Sequence, residues 1–206
     1  MLHVVTAKNR SRYDRLRDSM HRDRKSVFVD RLGWALEIAD GEREIDQFDT
    51  PDAVYVIEAD AEQRHLASLR LLPTTKPHLM SEVFPFLCEG EVPRGPDIWE
   101  LTRLCVRPDL PRSEQQRLRG IVWHGALQFA FATGIRKFTG VTHAQFLSAV
   151  LASGLEVEPL GLPQNYAGSM IGAHVVHFGV DDMRREERKL GLASSFASAP
   201  ALAATN

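Results

Sequence analysis

The sequence predicts an α+β protein, an α/β/α sandwich built around a mixed central sheet. Two features of the chain carry this prediction. Strand-like segments come first and follow one another as a meander, and a later pair of strands is separated by one long helix. A strand–helix–strand order implies a parallel pair joined by a crossover helix. With 206 residues, the chain is long enough for one domain with a sizeable core and short for two.

The first half of the chain alternates helical and strand-like patterns. Gly33 ends a helical pattern, and an acidic loop then runs to Pro51. The predicted elements are, in order, a strand "LHVVTA", a helix "SRYDRLRDSMHRDRKSVFVDRLGW", strands "AVYVIEAD" and "RHLASLRLLP", a short helix or turn "HLMSEVFPFL", and a central strand "DIWELTRLCV".

The second half begins with the long crossover helix. Ser113 and Gln116, three residues apart, form a capping-box signature, and the apolar pattern predicts a helix over about 114–132 that Gly134 ends. The remaining predicted elements are a strand "RKFTGVT", a helix over 143–152, and strands near 155–160 and 173–180. Residues 1–181 are predicted to form the domain. Residues 182–206, charged and then rich in Ala and Ser, are predicted to be a flexible tail.

Composition excludes several classes of protein. The net charge of −2 argues against a general nucleic-acid binder, and the apolar runs are too short for a membrane span. The segment "MLHVVTAKNR" lacks the pattern of a signal peptide, so we expect a cytoplasmic protein. Cys88 and Cys105 are too few for a disulfide framework, the eight His lack metal-ligand spacing, and no Ser or Cys lies in a nucleophile motif. We therefore expect no metal and no covalent nucleophile.

The distribution of charge is uneven. Residues 1–31 contain nine Lys and Arg against four acids, whereas residues 37–62 contain ten acids and one base. Within the acidic segment, Asp46, Asp49 and Asp52 recur every three residues. The two segments can pair with each other, line a cleft that takes a zwitterion, or form two solvated faces, and charge pattern alone favours the last.

Charged residues also occur in segments that should be buried. Glu100 and Arg103 lie in the central strand, and Arg70 lies among leucines in "SLRLLP". Buried charges are costly unless paired, so a structural ion pair is the simplest interpretation. Residues three apart in a regular strand face opposite sides. If Glu100 and Arg103 serve one site, a β-bulge must lie between them, and bulges are frequent next to active sites.

The order of elements is similar to that of the GCN5-related acyltransferase superfamily, in which two parallel strands splay apart around an acyl-thioester arm. The usual pyrophosphate loop of that superfamily is matched only in part. "RLRGIV" supplies Arg117 and Gly120, but Val122 replaces the last small residue, and the segment falls inside a predicted helix. An ordinary acetyl-coenzyme A enzyme is therefore less favoured.

Four segments carry a more specific resemblance. "VF…LGW", "EIDQFDT…YV", "RLLPTTKPHLMSEVFP" and "WELTRLCV" resemble the acyl-homoserine-lactone synthases, autoinducer synthases of the LuxI type, over residues 1 to about 180. Eight positions match the family in order and spacing: Arg24, Phe28, Trp34, Asp46, Asp49, Arg70, Glu100 and Arg103. One departure concerns Ala67 and Ser68, where family members often have glycine.

The resemblance implies an activity and roles for these residues. The family transfers an acyl group from a thioester, on acyl carrier protein or coenzyme A, to the amine of S-adenosylmethionine. Lactone closure then releases 5′-methylthioadenosine. S-adenosylmethionine is a substrate, so no cofactor is expected. Glu100 would act as the base, directly or through water, and the other seven matched residues would bind substrate. The acidic loop would meet the ammonium and sulfonium of S-adenosylmethionine, balanced by Arg24, Arg70 or Arg103.

The resemblance also implies an apolar acyl pocket between the central strand and the later helix. Its candidate lining residues are Leu101, Leu104, Val141, Thr142, Phe146 and Leu147. Thr142 would hold a 3-oxo group or, equally, cap the helix that follows. The choice between carrier protein and coenzyme A stays open, as do acyl length and oligomeric state. The alternatives are an N-acyltransferase acting on another amine and a binding module without turnover.

Overall fold

Helices cover both faces of an eight-stranded mixed sheet in the computed structural model, which describes residues 1–192. The strands are β1 (Leu2–Val5), β2 (Ile38–Ala39), β3 (Arg43–Glu44), β4 (Val54–Ala59), β5 (His65–Pro73), β6 (Ile98–Val106), β7 (Lys137–His143), β8 (Glu156–Pro159), β9 (Gln164–Tyr166) and β10 (Ser169–His177). The helices are α1 (Asp14–Arg24), α2 (Leu79–Glu82), α3 (Arg112–Thr133), α4 (Ala144–Leu151) and α5 (Val180–Leu190). A π-helical segment (Lys25–Arg31) continues α1, and 3₁₀ turns span Arg10–Tyr13 and Pro85–Leu87. The predicted fold class is confirmed.

The sheet has the order β1-β4-β5-β6-β7-β10-β8, with β9 paired to β10, while β2 and β3 form a separate ribbon. Every pairing is antiparallel except that of β6 with β7. These two strands are joined by α3, so the predicted parallel pair with a crossover helix is confirmed. The ribbon and β9 were not predicted, because their strands are only two or three residues long.

The parallel pair separates soon after it forms. Its register contains three pairs, the last of them Glu100 with Thr139. β6 continues to Val106 along β5, and β7 continues to His143 along β10. Beyond Glu100 and Thr139 the two strands therefore diverge and leave a gap in the middle of the sheet. Successive strand N–H groups point to alternate edges, so part of the β6 backbone faces this gap.

A β-bulge lies on β6 beside the gap. The register with β5 shifts between Ser68 and Arg70, and Arg103 has a left-handed backbone with φ 51°. Leu101 and Leu104 both pack on the α3 side of the sheet, although they are three residues apart. The predicted bulge is present. It was expected between Glu100 and Arg103, whereas Arg103 is itself one of the bulge residues.

Two cores flank the sheet. On one face, α3 packs on β4 and β5 through a cluster that includes Val56, Leu69 and Val122. On the other face, α1 packs on β4 through Leu16 and Met20. Both faces of β4 are thus apolar, and this accounts for the unbroken run "AVYVI".

The start of α3 differs from its prediction. The helix begins at Arg112, its N-cap is Pro111, and no side chain caps it, so the predicted capping box at Ser113 was wrong. Gly134 ends the helix in a left-handed conformation, as predicted. Gly120 lies within α3, where an added Cβ would come to 3.0 Å from Leu190 of α5. Its small size serves helix packing.

The predicted flexible tail begins in a helix. α5 covers Val180–Leu190, Met183 is buried in the α3-side core, and Gly191 ends the helix. The prediction of a flexible tail from residue 182 onward was therefore wrong for residues 182–190. The charged residues of this segment form the outer face of an amphipathic helix. Residues 193–206 lie outside the described part of the chain. Among residues 1–192, no helix is both long and apolar enough to cross a membrane.

Close packing of α3 on the sheet generates a first prediction. A Cβ on Gly125 would lie 2.6 Å from Leu2 Cδ2 and 2.8 Å from Val56 Cγ1. Leu2 can move, but Val56 is buried and β-branched. We expect Gly125→Ala to destabilise the protein by about 1–3 kcal/mol in urea unfolding, despite its better helix propensity. Gly90→Ala is the control, since nothing lies within 4 Å of its Cβ position. Equal midpoints for the two variants would contradict the packing described.

Candidate active site

A buried charge network joins α1, the acidic loop, β5 and β6. Arg24, at the end of α1, donates from Nε to Glu44 at 2.5 Å. Its two terminal nitrogens donate to the two oxygens of Asp49 at 2.9 and 3.0 Å. The Arg24 side chain is 1% exposed, so these bonds satisfy a guanidinium that water scarcely reaches.

Arg70 of β5 is the second arginine of the network. It forms a two-point pair with Asp46 at 2.6 and 2.9 Å and lies 2.9 Å from Asp49. Its Nε donates to the hydroxyl of Thr102 at 3.0 Å. The prediction that Arg70 reaches a buried carboxylate is confirmed.

Arg103, the bulge residue, is the third arginine. It pairs with Glu44 at 3.0 Å and with Asp46 at 2.8 Å. Its guanidinium also lies 5.6 Å above the ring of Phe28. The left-handed backbone at Arg103 turns its side chain to the same face as Thr102, and so toward the network.

The network balances three arginines with three carboxylates, and water reaches it unevenly. Arg24, Arg70, Glu44 and Asp49 are at most 3% exposed, whereas Asp46 is 16% and Arg103 is 7% exposed. Burial alone would raise the pKa of Asp49, but the charges of Arg24 and Arg70 outweigh it and hold that pKa well below its ordinary value. Asp49 therefore stays ionised at neutral pH.

The acidic loop thus meets positive charge that the protein itself supplies. Of the three regularly spaced carboxylates, Asp46 and Asp49 belong to the network. Asp52 does not: it is half-exposed and pairs with Lys76 on the surface. The interpretation that charge pattern alone favoured, two solvated faces, is therefore wrong for Asp46 and Asp49.

Glu100 lies apart from the network at the point where the sheet opens. Its side chain is fully buried, and its two oxygens accept hydrogen bonds from the N–H groups of Leu79 and Met80 at 2.8 Å each. Burial raises the pKa of Glu100 to about 7, although these hydrogen bonds and the charges of Arg70 and Arg103 oppose the rise. No arginine among the described residues forms an ion pair with it. A carboxyl with this pKa can accept and release a proton near neutral pH.

Two aromatic side chains cover the network. Phe28 of the π-helical segment stacks on Trp34, with ring centroids 4.9 Å apart and an interplanar angle of 12°. Phe28 is buried, and Trp34 is half-buried in the loop that follows. The structure thus brings seven of the eight matched residues into one assembly and places Glu100 beside it.

The six predicted acyl-pocket residues do not form one pocket. Leu101 and Leu104 pack on the α3 side of the sheet. Val141 belongs to a different cluster, centred on Met80 and Leu87. Thr142, Phe146 and Leu147 lie around β7 and α4. Phe146 is 46% exposed and Leu147 is buried. Thr142 pairs with Gly172 on β10. The bulge and the alternation of side chains along β7 separate residues that are close in sequence.

Thr142 is not the residue that begins α4. The N-cap of α4 is His143, and no side-chain hydrogen bond caps the helix. The capping interpretation of Thr142 was therefore wrong. Its suggested contact with a 3-oxo group remains a prediction.

Sequence reasoning missed five residues at the site that contact the matched residues: Glu44, Tyr55, Leu79, Met80 and Thr102. Tyr55, for example, donates its hydroxyl to Asp49 at 2.7 Å. The sequence contains a spacing pattern that could have identified two of them. Glu44 stands two residues before Asp46, and Thr102 two after Glu100, so strand alternation places each pair on one face. No local pattern marks the hydroxyl of Tyr55 or the N–H groups of Leu79 and Met80.

The fold defines a class. A mixed sheet that opens between two parallel strands is the fold expected of GCN5-related acyltransferases. A solved N-acetyltransferase from Lactobacillus plantarum matches the chain with a TM-score of 0.56 at 16% identity, covering 86% of this chain and 99% of that one. This likeness concerns the fold alone.

The family is narrower than the class. The family model described as autoinducer synthase matches residues 8–188. The isovaleryl-homoserine lactone synthase of Bradyrhizobium diazoefficiens is 34% identical over 166 residues, which are 79% of this chain and 73% of that protein. A solved complex of BjaI, a coenzyme A-dependent acyl-homoserine lactone synthase, with SAM and isopentyl-CoA matches at TM-score 0.86 and 30% identity, covering 94% of this chain and 90% of that one. The chain therefore belongs to the autoinducer synthase family, and it is an acyltransferase of the acyl-homoserine-lactone synthase type.

The geometry of the network predicts a large effect on stability. Asp49→Asn removes the charge that pairs with Arg24 and Arg70. Arg24 keeps Glu44 and Arg70 keeps Asp46, but the buried network is left with one uncompensated positive charge, which should cost about 3–5 kcal/mol in urea unfolding. Asp52→Asn is the matched control from the same loop and should change stability by less than about 0.5 kcal/mol, because its pair with Lys76 is exposed.

The same pair of variants has an expected pH dependence. A carboxylate with a lowered pKa stabilises the fold fully above its unfolded pKa of about 4, and this contribution is lost as the pH falls further. The stability difference between wild type and Asp49→Asn should therefore shrink below about pH 4. Equal stability of the two loop variants at pH 7 would contradict the network described.

Proposed function

We propose that this chain transfers an acyl group from an acyl-coenzyme A thioester to the amine of S-adenosylmethionine and then forms an N-acyl-homoserine lactone, releasing 5′-methylthioadenosine. The observation that supports this most is the position of Glu100, a buried carboxyl with a pKa of about 7 at the point where β6 and β7 diverge. A proton acceptor is thereby placed where the gap admits a thioester.

The accessible part of the network suits the amino-acid end of S-adenosylmethionine. Only Asp46 and Arg103 retain appreciable exposure, and they lie side by side with a contact of 2.8 Å. An α-ammonium next to Asp46 and an α-carboxylate next to Arg103 would match this pair of opposite charges. The buried members, Arg24, Arg70, Glu44 and Asp49, then serve to hold the pair in place.

Glu100 would accept a proton from the substrate ammonium. The freed amine nitrogen attacks the thioester carbon, a C–N bond forms and the C–S bond breaks. The nitrogen then loses its second proton, which the leaving thiolate takes up to become the thiol of coenzyme A. Since the pKa of Glu100 is near neutrality, a useful fraction of the carboxyl is ionised at pH 7. The N–H groups of Leu79 and Met80 fix its two oxygens in orientation.

The gap would hold the thioester arm. Backbone N–H groups of β6 beyond Glu100 that lack a partner on β7 are donors for the arm and for the oxygen on which negative charge develops. The acyl chain itself would enter the apolar cluster of Met80, Leu87 and Val141, because Met80 also contacts Glu100. Val141 alone of the predicted pocket residues belongs to this cluster.

Lactone closure needs no further catalytic group. The methionine carboxylate attacks its own γ-carbon, and the sulfonium leaves as 5′-methylthioadenosine. Because the step is intramolecular with a good leaving group, a folded-back conformation is the main requirement. The stack of Phe28 on Trp34 borders the site and would restrict the space available to the substrate.

The choice of coenzyme A as carrier draws support from the likeness to BjaI, which is described as coenzyme A-dependent. In this chain α4, with the sequence "AQFLSAVL", carries no basic residue that would attract an acidic carrier protein. The reaction would take place in the cytoplasm.

The donor and the product can be tested together. Purified protein should convert S-adenosylmethionine and isovaleryl-coenzyme A to a homoserine lactone and 5′-methylthioadenosine in equal amounts, identified by mass. The same acyl group on acyl carrier protein should react at least about tenfold more slowly, a difference of about 1.4 kcal/mol. An N-acyl product without methylthioadenosine would support the alternative, an N-acyltransferase acting on another amine. Preference for the carrier protein would overturn the donor assignment.

The role of Glu100 can be separated from its structural contacts. Glu100→Gln cannot accept the proton, so turnover per folded molecule should fall by about 10²–10⁴-fold. In the wild type, kcat/KM should rise with pH through the pKa of Glu100, about 7, and the variant should lack that component. Some loss of stability, about 1–3 kcal/mol, is also expected, because the amide can accept from only one of the N–H groups of Leu79 and Met80.

Glu82→Gln is the matched control, since Glu82 is an exposed acid on the adjacent α2. It should retain the wild-type pH profile. A Glu100→Gln enzyme that melts early but shows wild-type kcat/KM per folded molecule at every pH would remove Glu100 from the chemistry.

A further inference from the structure

A row of stacked groups crosses the gap on the face that carries the network. The guanidinium of Arg103 lies 5.6 Å from the ring centre of Phe28, and Phe28 stacks on Trp34 at 4.9 Å. Trp34 in turn stacks on His143, with centroids 5.6 Å apart and an interplanar angle of 29°. The row therefore contains four groups from three separate segments of the chain.

The ends of the row lie on the two strands that diverge. Arg103 is three residues beyond Glu100 on β6, and His143 is four residues beyond Thr139 at the end of β7. Glu100 and Thr139 are the last paired residues of the two strands. The row thus bridges the gap where the sheet itself no longer does, and Trp34 lies over the opening.

Trp34 depends on its neighbours for its orientation. Its backbone N–H donates to the carbonyl of Phe28 at 2.9 Å, but the adjacent Leu32, Gly33 and Ala35 are all exposed. The indole is stacked against Phe28, which is buried, and against His143 from the far strand. Removing the ring of His143 leaves the side of Trp34 toward β7 without a stacked partner.

The side chain of His143 makes no polar contact in the described part of the chain that would compete with the stack on Trp34. It occupies the N-cap of α4 but makes no capping hydrogen bond with its side chain. Neither a side-chain hydrogen bond nor an ion pair engages it within residues 1–192, so the stack on Trp34 is the main contact of its ring.

We infer that His143 is a positioning residue that holds Trp34 over the gap and thereby sets the affinity for the acyl-thioester arm. This inference rests on the proposed function, which places the arm in the gap. Because His143 contacts neither Glu100 nor the buried network, the loss of its ring should weaken binding of the donor and leave the chemical step intact. The expected signature is a higher KM for the acyl donor at unchanged kcat.

Three substitutions separate stacking from helix capping. His143→Asn removes the ring but keeps a good N-cap residue, and His143→Phe keeps a ring that can stack. Gln145→Ala, two residues beyond the end of the same strand and exposed, is the control. For each variant, KM for isovaleryl-coenzyme A, KM for S-adenosylmethionine, kcat and the melting temperature are measured. The Kd for isovaleryl-coenzyme A is measured by calorimetry.

His143→Asn should raise KM and Kd for the donor by about 2–10-fold, the factor that one aromatic stack supplies. His143→Phe should stay within about twofold of wild type. The melting temperature and kcat of both His143 variants should equal those of the wild type. The control, Gln145→Ala, should equal the wild type in every measured quantity. Wild-type KM and Kd in His143→Asn would overturn the inference. So would equal weakening in the Asn and Phe variants, or a loss of kcat that follows a loss of stability.

The failure of this inference can be distinguished from failure of the proposed function. If the wild type makes no lactone from this donor, the proposed function fails, yet the Kd still reports whether the ring of His143 supports binding. If the wild type makes the lactone and His143→Asn binds and uses the donor normally, only the inference fails.

Discussion

Neutralising two fully buried arginines is the constraint on which the rest of the site depends. Arg24 comes from α1 and Arg70 from β5, both contact Asp49 of the acidic loop, and both are reached by almost no water. A buried ion costs several kcal/mol unless well-placed partners of opposite charge surround it. Glu44, Asp46 and Asp49 satisfy both arginines, so the end of α1, the loop and β5 can meet in only one arrangement. The network specifies where these segments lie relative to one another.

The open sheet and the network are connected through β6. β6 is no longer paired with β7 beyond Glu100, and its register with β5 shifts at Arg103. A left-handed backbone at an arginine costs about 1–3 kcal/mol, and the ion pairs with Glu44 and Asp46 offset that cost. Without the bulge, Arg103 would point toward α3 and the network would lack one positive charge. One local irregularity therefore completes the charge balance and turns a side chain toward the gap.

Much of this arrangement could be predicted from the sequence, and the remainder has identifiable causes. The parallel pair follows from strand–helix–strand order, and the pairing of Arg70 follows from the cost of a charge among leucines. The regular spacing of the acids was misleading, because Asp52 continues the interval of three but is exposed, whereas Glu44 breaks the interval and is buried in the network. The resemblance implied one acyl pocket between the central strand and the later helix, but Leu104 packs on the α3 side after the bulge, and alternation along β7 separates Val141 from Thr142. The capping box at Ser113 failed because Pro111 starts the helix without help from a side chain.

The stack from Arg103 to His143 was invisible to sequence reasoning for a related reason. Its members come from β6, the segment after α1 and the end of β7, so no local pattern connects them. Only the divergence of β6 from β7 brings these three segments around one opening. Arg103, Phe28 and Trp34 were matched to the family, but nothing in the sequence connects them with His143, because the contact is a product of topology.

The burial of Glu100 links proton exchange to occupancy of the site. A carboxyl whose pKa is raised from its unfolded value near 4.3 to about 7 keeps its proton in the folded protein across that interval. Ionising it there costs folding free energy, so the empty protein loses this part of its stability as the pH rises from about 4 to 7. A cation that enters beside Glu100 favours the ionised form and offsets the loss. Uptake of a positively charged ligand near pH 6–7, the range roughly below that pKa, must then expel a proton into the buffer. The heat of ligand binding in this protein will accordingly depend on the ionisation enthalpy of the buffer.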